Sequence, residues 1–290
     1  MSLLKVIVLA VVQGLAELLP VSSSAHVVVA EKLMGMDPSS PPMTLLLVML
    51  HTGTMFAVIL YFWRQWRDTY FQSVNAFKQV AIRVVLATFL TGILGEILIK
   101  IIEKTFFKGV PHAEIEDLFG HLEIVAPALA AAGVLILIAG ILERRNEQRR
   151  SSNRTTELTM QQAGIIGAVQ GLCLPFRGFS RSGATISAAM LAGVAKAPAE
   201  RFSFALAVVL TPPVVVREAL RLINAQHISG AANLGSAALP SLLGAVFAFL
   251  AGLLALKWLS RWLEGGRWYL FGIYCLVAAG VVGYLNHLGY

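Results

Sequence analysis

A helix needs about 20 consecutive, mostly apolar residues to cross a bilayer, and this chain offers six such runs, at 43–63, 83–102, 124–142, 201–220, 239–259 and 268–285. Only 13% of the 290 residues are charged, against roughly 25% in a soluble globular protein. That supply is too thin to cover a water-facing surface. The membrane is therefore the solvent, and an all-α polytopic fold follows, because a helix satisfies its backbone polar groups internally.

Two further apolar segments are interrupted. Residues 3–19 stop at Pro20-Val21-Ser22-Ser23-Ser24 and resume at 26–34; residues 163–174 stop at Pro175 through Gly183 and resume at 184–194. Each half is too short to span comfortably. Non-helical backbone at membrane depth is tolerated only where protein buries it or water lines it. Both segments are therefore expected to be re-entrant helix–loop–helix pairs. The first 25 residues imitate a secretory signal, but Gln13 and Glu17 interrupt the apolar run and no soluble domain follows.

The formal charge of +7 does not point to nucleic acid, because the basic residues cluster between apolar runs. Arg64, Arg67 and Lys78 follow the first span; Arg144, Arg145, Arg149, Arg150 and Arg154 follow the third; Lys257, Arg261 and Arg267 separate the last two. Placing these inside obeys the positive-inside rule. The acidic stretch with Glu103, Glu114, Glu116, Asp117 and Glu123 then lies outside, as do both termini. Cys173 and Cys275 match no metal or disulfide spacing.

Val12-Gln13-Gly14-Leu15 recurs as Val169-Gln170-Gly171-Leu172, displaced by 157 positions (13 to 170), and the same offset carries Ser23 onto Ser180. With the two broken pairs entering from opposite sides, this predicts an inverted-topology repeat whose broken helices meet to build the site. The chain reads as one membrane domain, 1–290, with one repeat at about 1–143, a basic loop at about 144–160 and a second repeat at about 161–290.

Polar groups inside a membrane are costly and so mark candidate sites. The first break gathers Gln13, Glu17, Ser22, Ser23, Ser24 and His26, and the second Arg177, Ser180, Arg181, Ser182 and Thr185. The Ser-Arg-Ser-Gly cluster ahead of a new helix suits a phosphate, which guanidinium and free backbone N–H groups attract. The serines also read as helix N-caps, and Arg181 as an interfacial anchor. In the first break Glu17 can bind a cation or act as a base, Ser23 can attack, and His26 can move protons. His51 either lines the site or bonds between helices. Glu96, on an apolar helix, asks for a buried partner. Trp258, Trp262, Trp268 and Tyr269 read as an interfacial belt.

The run from Gln13 to His26 resembles the first signature of the bacterial undecaprenyl-diphosphate phosphatase family associated with bacitracin resistance, and Gly178 to Thr185 resembles its second. The Leu50-His51-Thr52-Gly53 and Phe202–Leu206 segments are also similar. The resemblance implies hydrolysis of undecaprenyl diphosphate to undecaprenyl phosphate, recycling the carrier for cell-wall synthesis, with Mg²⁺ or Ca²⁺, in the bacterial plasma membrane and at an outward-facing site. It implies Glu17 as metal or acid–base carboxylate, and Gln13 as its possible neighbour in a metal site. Ser23 and His26 become candidates for nucleophile and proton carrier, and a metal-held water is an equal candidate for attack. Arg181 becomes the diphosphate clamp, with Ser22, Ser24, Ser180, Ser182, Thr185 and Arg177 around the phosphates. The chain departs from the family at Gln13, where many members carry Glu, and at Arg177, where proline is usual. A polyprenyl-phosphate flippase and a lipid-binding protein without catalysis are the competing readings. Small residues, as at 126–133, could pack within one chain or between two copies in a homodimer.

Overall fold

A computed structural model describes residues 2–36, 41–106, 121–148, 154–229 and 234–289. Its ten helices are α1 (Leu3–Leu18), α2 (Ser23–Leu33), α3 (Pro41–Thr69), α4 (Val74–Phe106), α5 (Leu122–Gln148), α6 (Met160–Cys173), α7 (Arg181–Leu191), α8 (Lys196–Ser229), α9 (Leu234–Glu264) and α10 (Trp268–His287). Among the described residues there is no strand, only an isolated bridge between Thr155 and Val194. Six helices, α3, α4, α5, α8, α9 and α10, contain stretches long and apolar enough to cross a membrane. These are the six runs legible in the sequence. The helices extend past the apolar runs, so Arg64, Arg67 and Lys78 ride on helix ends instead of occupying a loop. Arg149, Arg150, Glu114, Glu116 and Asp117, which the topological reading used, lie outside the described residues.

The remaining four helices form two folded-back pairs. Leu19 precedes Pro20, whose ring disfavours a helical conformation before it; Leu19 is extended and α1 ends there. Ser22 then turns the chain with φ +67°, a left-handed conformation that costs a non-glycine residue on the order of 1–3 kcal/mol. Its hydroxyl caps α2 by accepting from the Ala25 N–H. The far ends of the pair adjoin, since Lys5 Nζ near the start of α1 donates to the Met34 carbonyl just past α2, 2.6 Å away. The second pair repeats the arrangement. Ser180 caps α7 by accepting from the Gly183 N–H, and Gln162 near the start of α6 donates to the Ala192 carbonyl just past α7 at 3.0 Å.

Each pair is held by close backbone approach. A Cβ on Gly14 of α1 would lie 2.6 Å from the Ala248 carbonyl oxygen and from Ala251 Cβ, both on α9; on Gly171 of α6 it would lie 2.9 Å from the Thr91 carbonyl oxygen on α4. The repeated Gln-Gly therefore marks where each half-helix presses on a long span. Of the small residues at 126–133, Gly133 of α5 packs within the chain, where an added Cβ would meet Cys275 Cβ of α10 at 2.9 Å.

Two sequence expectations need correction. Glu96 has no buried partner: its side chain is 69% exposed and lies 3.9 Å from Lys100, one turn along α4. Trp268 is no interfacial anchor. It is fully buried, and its indole N–H donates to Ser187 Oγ of α7 at 2.9 Å, because helix α10 begins there against the second pair. Trp258 and Trp262 are exposed, as a belt requires.

Replacing Gly14 by valine forces α1 away from α9, an overpacking cost of about 1–3 kcal/mol. We expect a lower unfolding temperature in detergent for Gly14→Val, and an unchanged one for the same replacement at Gly92, where no neighbour stands within 4 Å.

Candidate active site

The two breaks meet. Ser22 Oγ donates to the Arg177 carbonyl at 2.8 Å, and Ser182 Oγ donates to the Leu19 carbonyl at 3.2 Å. Between these two contacts Arg181 Nη2 donates to Glu17 Oε1 at 2.6 Å. Cys275 of α10 supports the first tip from behind, its thiol donating to the Pro20 carbonyl at 3.3 Å. A cavity of about 300 Å³ opens at the junction, walled on a third side by Ala207, Thr211 and Val214 of α8.

Glu17 is the hub. Oε2 accepts from Ser23 Oγ at 2.6 Å and from Gln13 Nε2 at 3.2 Å, and it stands 3.8 Å from His51 Nε2. Gln13 and Glu17 lie one helical turn apart, which puts both on one face of α1. Ser23 opens α2, and the sharp turn at Ser22 aims it back at α1. Arg181 opens α7. Its Nη2 is engaged with Glu17, while its Nη1 is buried without a hydrogen-bond partner among the described residues. A guanidinium held by one terminal nitrogen has the other left for a phosphoryl oxygen.

The expected residues divide into three groups. Glu17, Ser22, Ser23, Ser24, Arg177, Ser180, Arg181 and Ser182 all line the cavity. Within that group Ser180 caps α7, as the alternative role for Ser180 and Ser182 expects, whereas Ser182 is no cap and reaches the Leu19 carbonyl instead; Ser22 caps α2. Gln13 does not line the cavity; it is 1% exposed and reaches it only through the Glu17 carboxylate. Thr185 and His26 are placed elsewhere. Thr185 sits one turn into α7, fully buried, and its hydroxyl bonds the Arg181 carbonyl and Ser203 of α8. His26, three residues beyond Ser23, falls on a different face of α2. Its Nδ1–H donates to the Ser22 carbonyl and its Nε2 accepts from the Tyr274 hydroxyl, each at 2.7 Å. It stacks on Tyr274 and borders a separate apolar groove with Val277 and Val281.

His51 is the histidine that the fold brings to the cavity. Its Nδ1 is bonded to the Leu47 carbonyl at 2.8 Å. A ring that donates from Nδ1 carries its lone pair on Nε2, and Nε2 is the atom that faces Glu17. Gln170, the repeat counterpart of Gln13, also lines the cavity. It is fully buried, its Nε2 donates to Thr91 Oγ1 at 3.2 Å, and its Oε1 has no partner among the described residues. The repeat offset was the sequence signal that could have found it. Arg177 lines the cavity while its positive charge acts on the buried carboxylate of Glu31 on α2.

The family profile described as Bacitracin resistance protein BacA matches residues 6–281. Undecaprenyl-diphosphatase 2 of Acinetobacter baylyi is 60% identical over 285 residues, which covers 97% of each chain. Undecaprenyl-diphosphatase 1 of Burkholderia pseudomallei is 35% identical over 289 residues, 96% of this chain and 95% of its own. Undecaprenyl-diphosphatase 2 of Burkholderia thailandensis is 34% identical over the same shares. With a match of this extent, and with both signature segments converging on one cavity, this membrane-spanning chain belongs to the BacA bacitracin-resistance family.

Proposed function

We propose that this protein hydrolyses undecaprenyl diphosphate to undecaprenyl phosphate and inorganic phosphate, returning the lipid carrier to cell-wall synthesis. The observation that carries the reading is one carboxylate, Glu17, touching a hydroxyl and a guanidinium together in the cavity where the two broken helices meet. The names of the relatives supply the substrate.

The chemistry needs a nucleophile, a base and positive charge where the phosphoryl group is transferred. Ser23 Oγ attacks the terminal phosphorus and gives its proton to Glu17 Oε2. The bond from that phosphorus to the bridging oxygen breaks, and undecaprenyl phosphate leaves with the bonding electrons. Water then attacks the phosphoseryl phosphorus and loses a proton to His51 Nε2, while Glu17 returns its proton to Ser23 Oγ as that oxygen departs. His51 passes its proton to the released phosphate, so one water is consumed per turnover. Arg181 Nη1 grips the phosphoryl oxygens throughout, and the turn at Ser22 keeps Ser23 aimed at the carboxylate.

A divalent cation fits this donor set in a limited way. Mg²⁺ is commonly held by one or two carboxylates together with substrate phosphates. Glu17 is the one acid among the described lining residues, and those residues contain no group of three or more His, Cys, Asp or Glu able to cage a metal. Glu17 and the Ser23 hydroxyl would hold a cation arriving with the diphosphate, and it would neutralise the charge on the phosphates. Gln13, one turn from Glu17, orients the carboxylate instead of adding a second one.

We place the basic helix ends in the cytoplasm and the cavity mouth on the periplasmic side, with each broken pair re-entrant and the two halves related as inverted repeats. Three features support this. The outer ends of each broken pair adjoin through Lys5–Met34 and Gln162–Ala192. α1 packs on α9 while its counterpart α6 packs on α4, an exchange of partners between halves. Arg64, Arg67, Lys78, Lys257, Arg261 and Arg267 obey the positive-inside rule together. The exchange of partners also suits a flippase, for which binding of the lipid without release of phosphate would be the signature.

Purified protein given undecaprenyl diphosphate and Mg²⁺ or Ca²⁺ is expected to release phosphate, and EDTA to stop it. Glu17→Ala and Arg181→Ala should each lower kcat by about 10²–10⁴. His51→Ala should cost on the order of 10² and His26→Ala no more than about tenfold; the reverse order would return the proton-transfer role to His26. For orientation, an impermeant maleimide should label Lys32→Cys and Glu123→Cys in intact cells, and Lys78→Cys only after lysis. Labelling of Lys78→Cys from outside would invert the assignment.

A further inference from the structure

A second polar cavity, of about 150 Å³, lies where the end of α3, the start of α4, residues 156–158 and the start of α8 come together. It belongs to the other end of α8 from the first cavity. Arg201 lines it and Thr211 lines the other, ten positions apart and so about 15 Å along a helix at 1.5 Å per residue. The face is the basic one, with Arg64, Arg67 and Lys78 on the neighbouring helix ends.

Arg83 of α4 and Arg201 of α8 both line this cavity, and the Nε of each is buried without a hydrogen-bond partner. Neither guanidinium has an ion-pair partner within 4 Å among the described residues, and the Arg201 charge acts at longer range on the buried carboxylate of Glu200. Glu157 borders the same space but stays beyond ion-pairing distance of both. A buried charged donor left without a partner costs more than a neutral one, and two guanidinium groups facing one space repel. An anion between them relieves both costs. Tyr70, Gln72 and Gln79 add polar groups at the rim, and the volume admits a tetrahedral oxyanion. Guanidinium pairs are suited to phosphate because the planar fork matches its oxygens.

We propose that Arg83 and Arg201 form a phosphate-binding site on the basic face, separate from the Glu17–Arg181 cavity. Its ligand is a phosphate group, carried either by an anionic lipid headgroup or as free phosphate. The site stands on its own geometry and does not require the reaction proposed for the first cavity.

The test uses the full chain carrying Arg181→Ala, so that the clamp in the first cavity does not contribute. In one arm, native mass spectrometry follows phosphatidylglycerol bound to delipidated protein in detergent; in the other, equilibrium dialysis follows ³²P-orthophosphate. One saturable site is expected in at least one arm, with lipid retention alone identifying a headgroup and orthophosphate binding identifying free phosphate. Adding Arg83→Gln and Arg201→Gln together should weaken that binding by about tenfold or more, the loss expected when charge-assisted hydrogen bonds are removed. If the paired variant does not yield a monodisperse helical protein, each single replacement should still weaken binding severalfold. Binding absent in both arms, or equal with and without the two arginines, overturns the proposal.

Discussion

The contact between Arg181 and Glu17 joins elements that are 164 residues apart in sequence, and much of the architecture exists to make it possible. Isolated charges at membrane depth are expensive, and a carboxylate and a guanidinium there must find each other or water. Here the chain interrupts two helices and turns the loose ends toward one another. Pro20, the strained Ser22 and the capping serines deliver the two charges to one point. The long spans behind them supply the rigidity that keeps the point fixed.

The same geometry explains why the cavity suits a phosphoryl group. One terminal nitrogen of Arg181 is committed to Glu17 and the other is not, so the guanidinium is oriented before any ligand arrives. Glu17 in turn holds the Ser23 hydroxyl, which puts the attacking oxygen, the base and the charge clamp of the proposed reaction in a single chain of contacts. Such pre-positioning is where catalysis of phosphoryl transfer chiefly resides. Gln13 and Gln170 carry the pattern outward, one steadying the carboxylate and the other lining the cavity while it donates to Thr91.

Much of this was legible in the sequence, for identifiable reasons. The six spans announce themselves because apolar length is a direct physical requirement of the bilayer. The breaks announce themselves through Pro20 and Pro175 and through polar residues where none should lie. Most of the cavity lining followed from those breaks. Direction was harder to read. His26 and Thr185 sit in the right segments, but helical rotation turns one toward Tyr274 and the other into α8. His51 sits on a continuous span, where the sequence left lining the site and bonding between helices equally open, and the fold turns it to the cavity. Glu96 and Trp268 mislead in the same way, because exposure to lipid or to protein depends on neighbours that composition does not name.

The hydroxyls of Ser22 and Ser182 reach crosswise, each taking hold of the main chain of the opposite tip. The two tips are thus stitched reciprocally. Such a junction couples the two broken pairs, so that loosening either hydroxyl's hold displaces both charges at once.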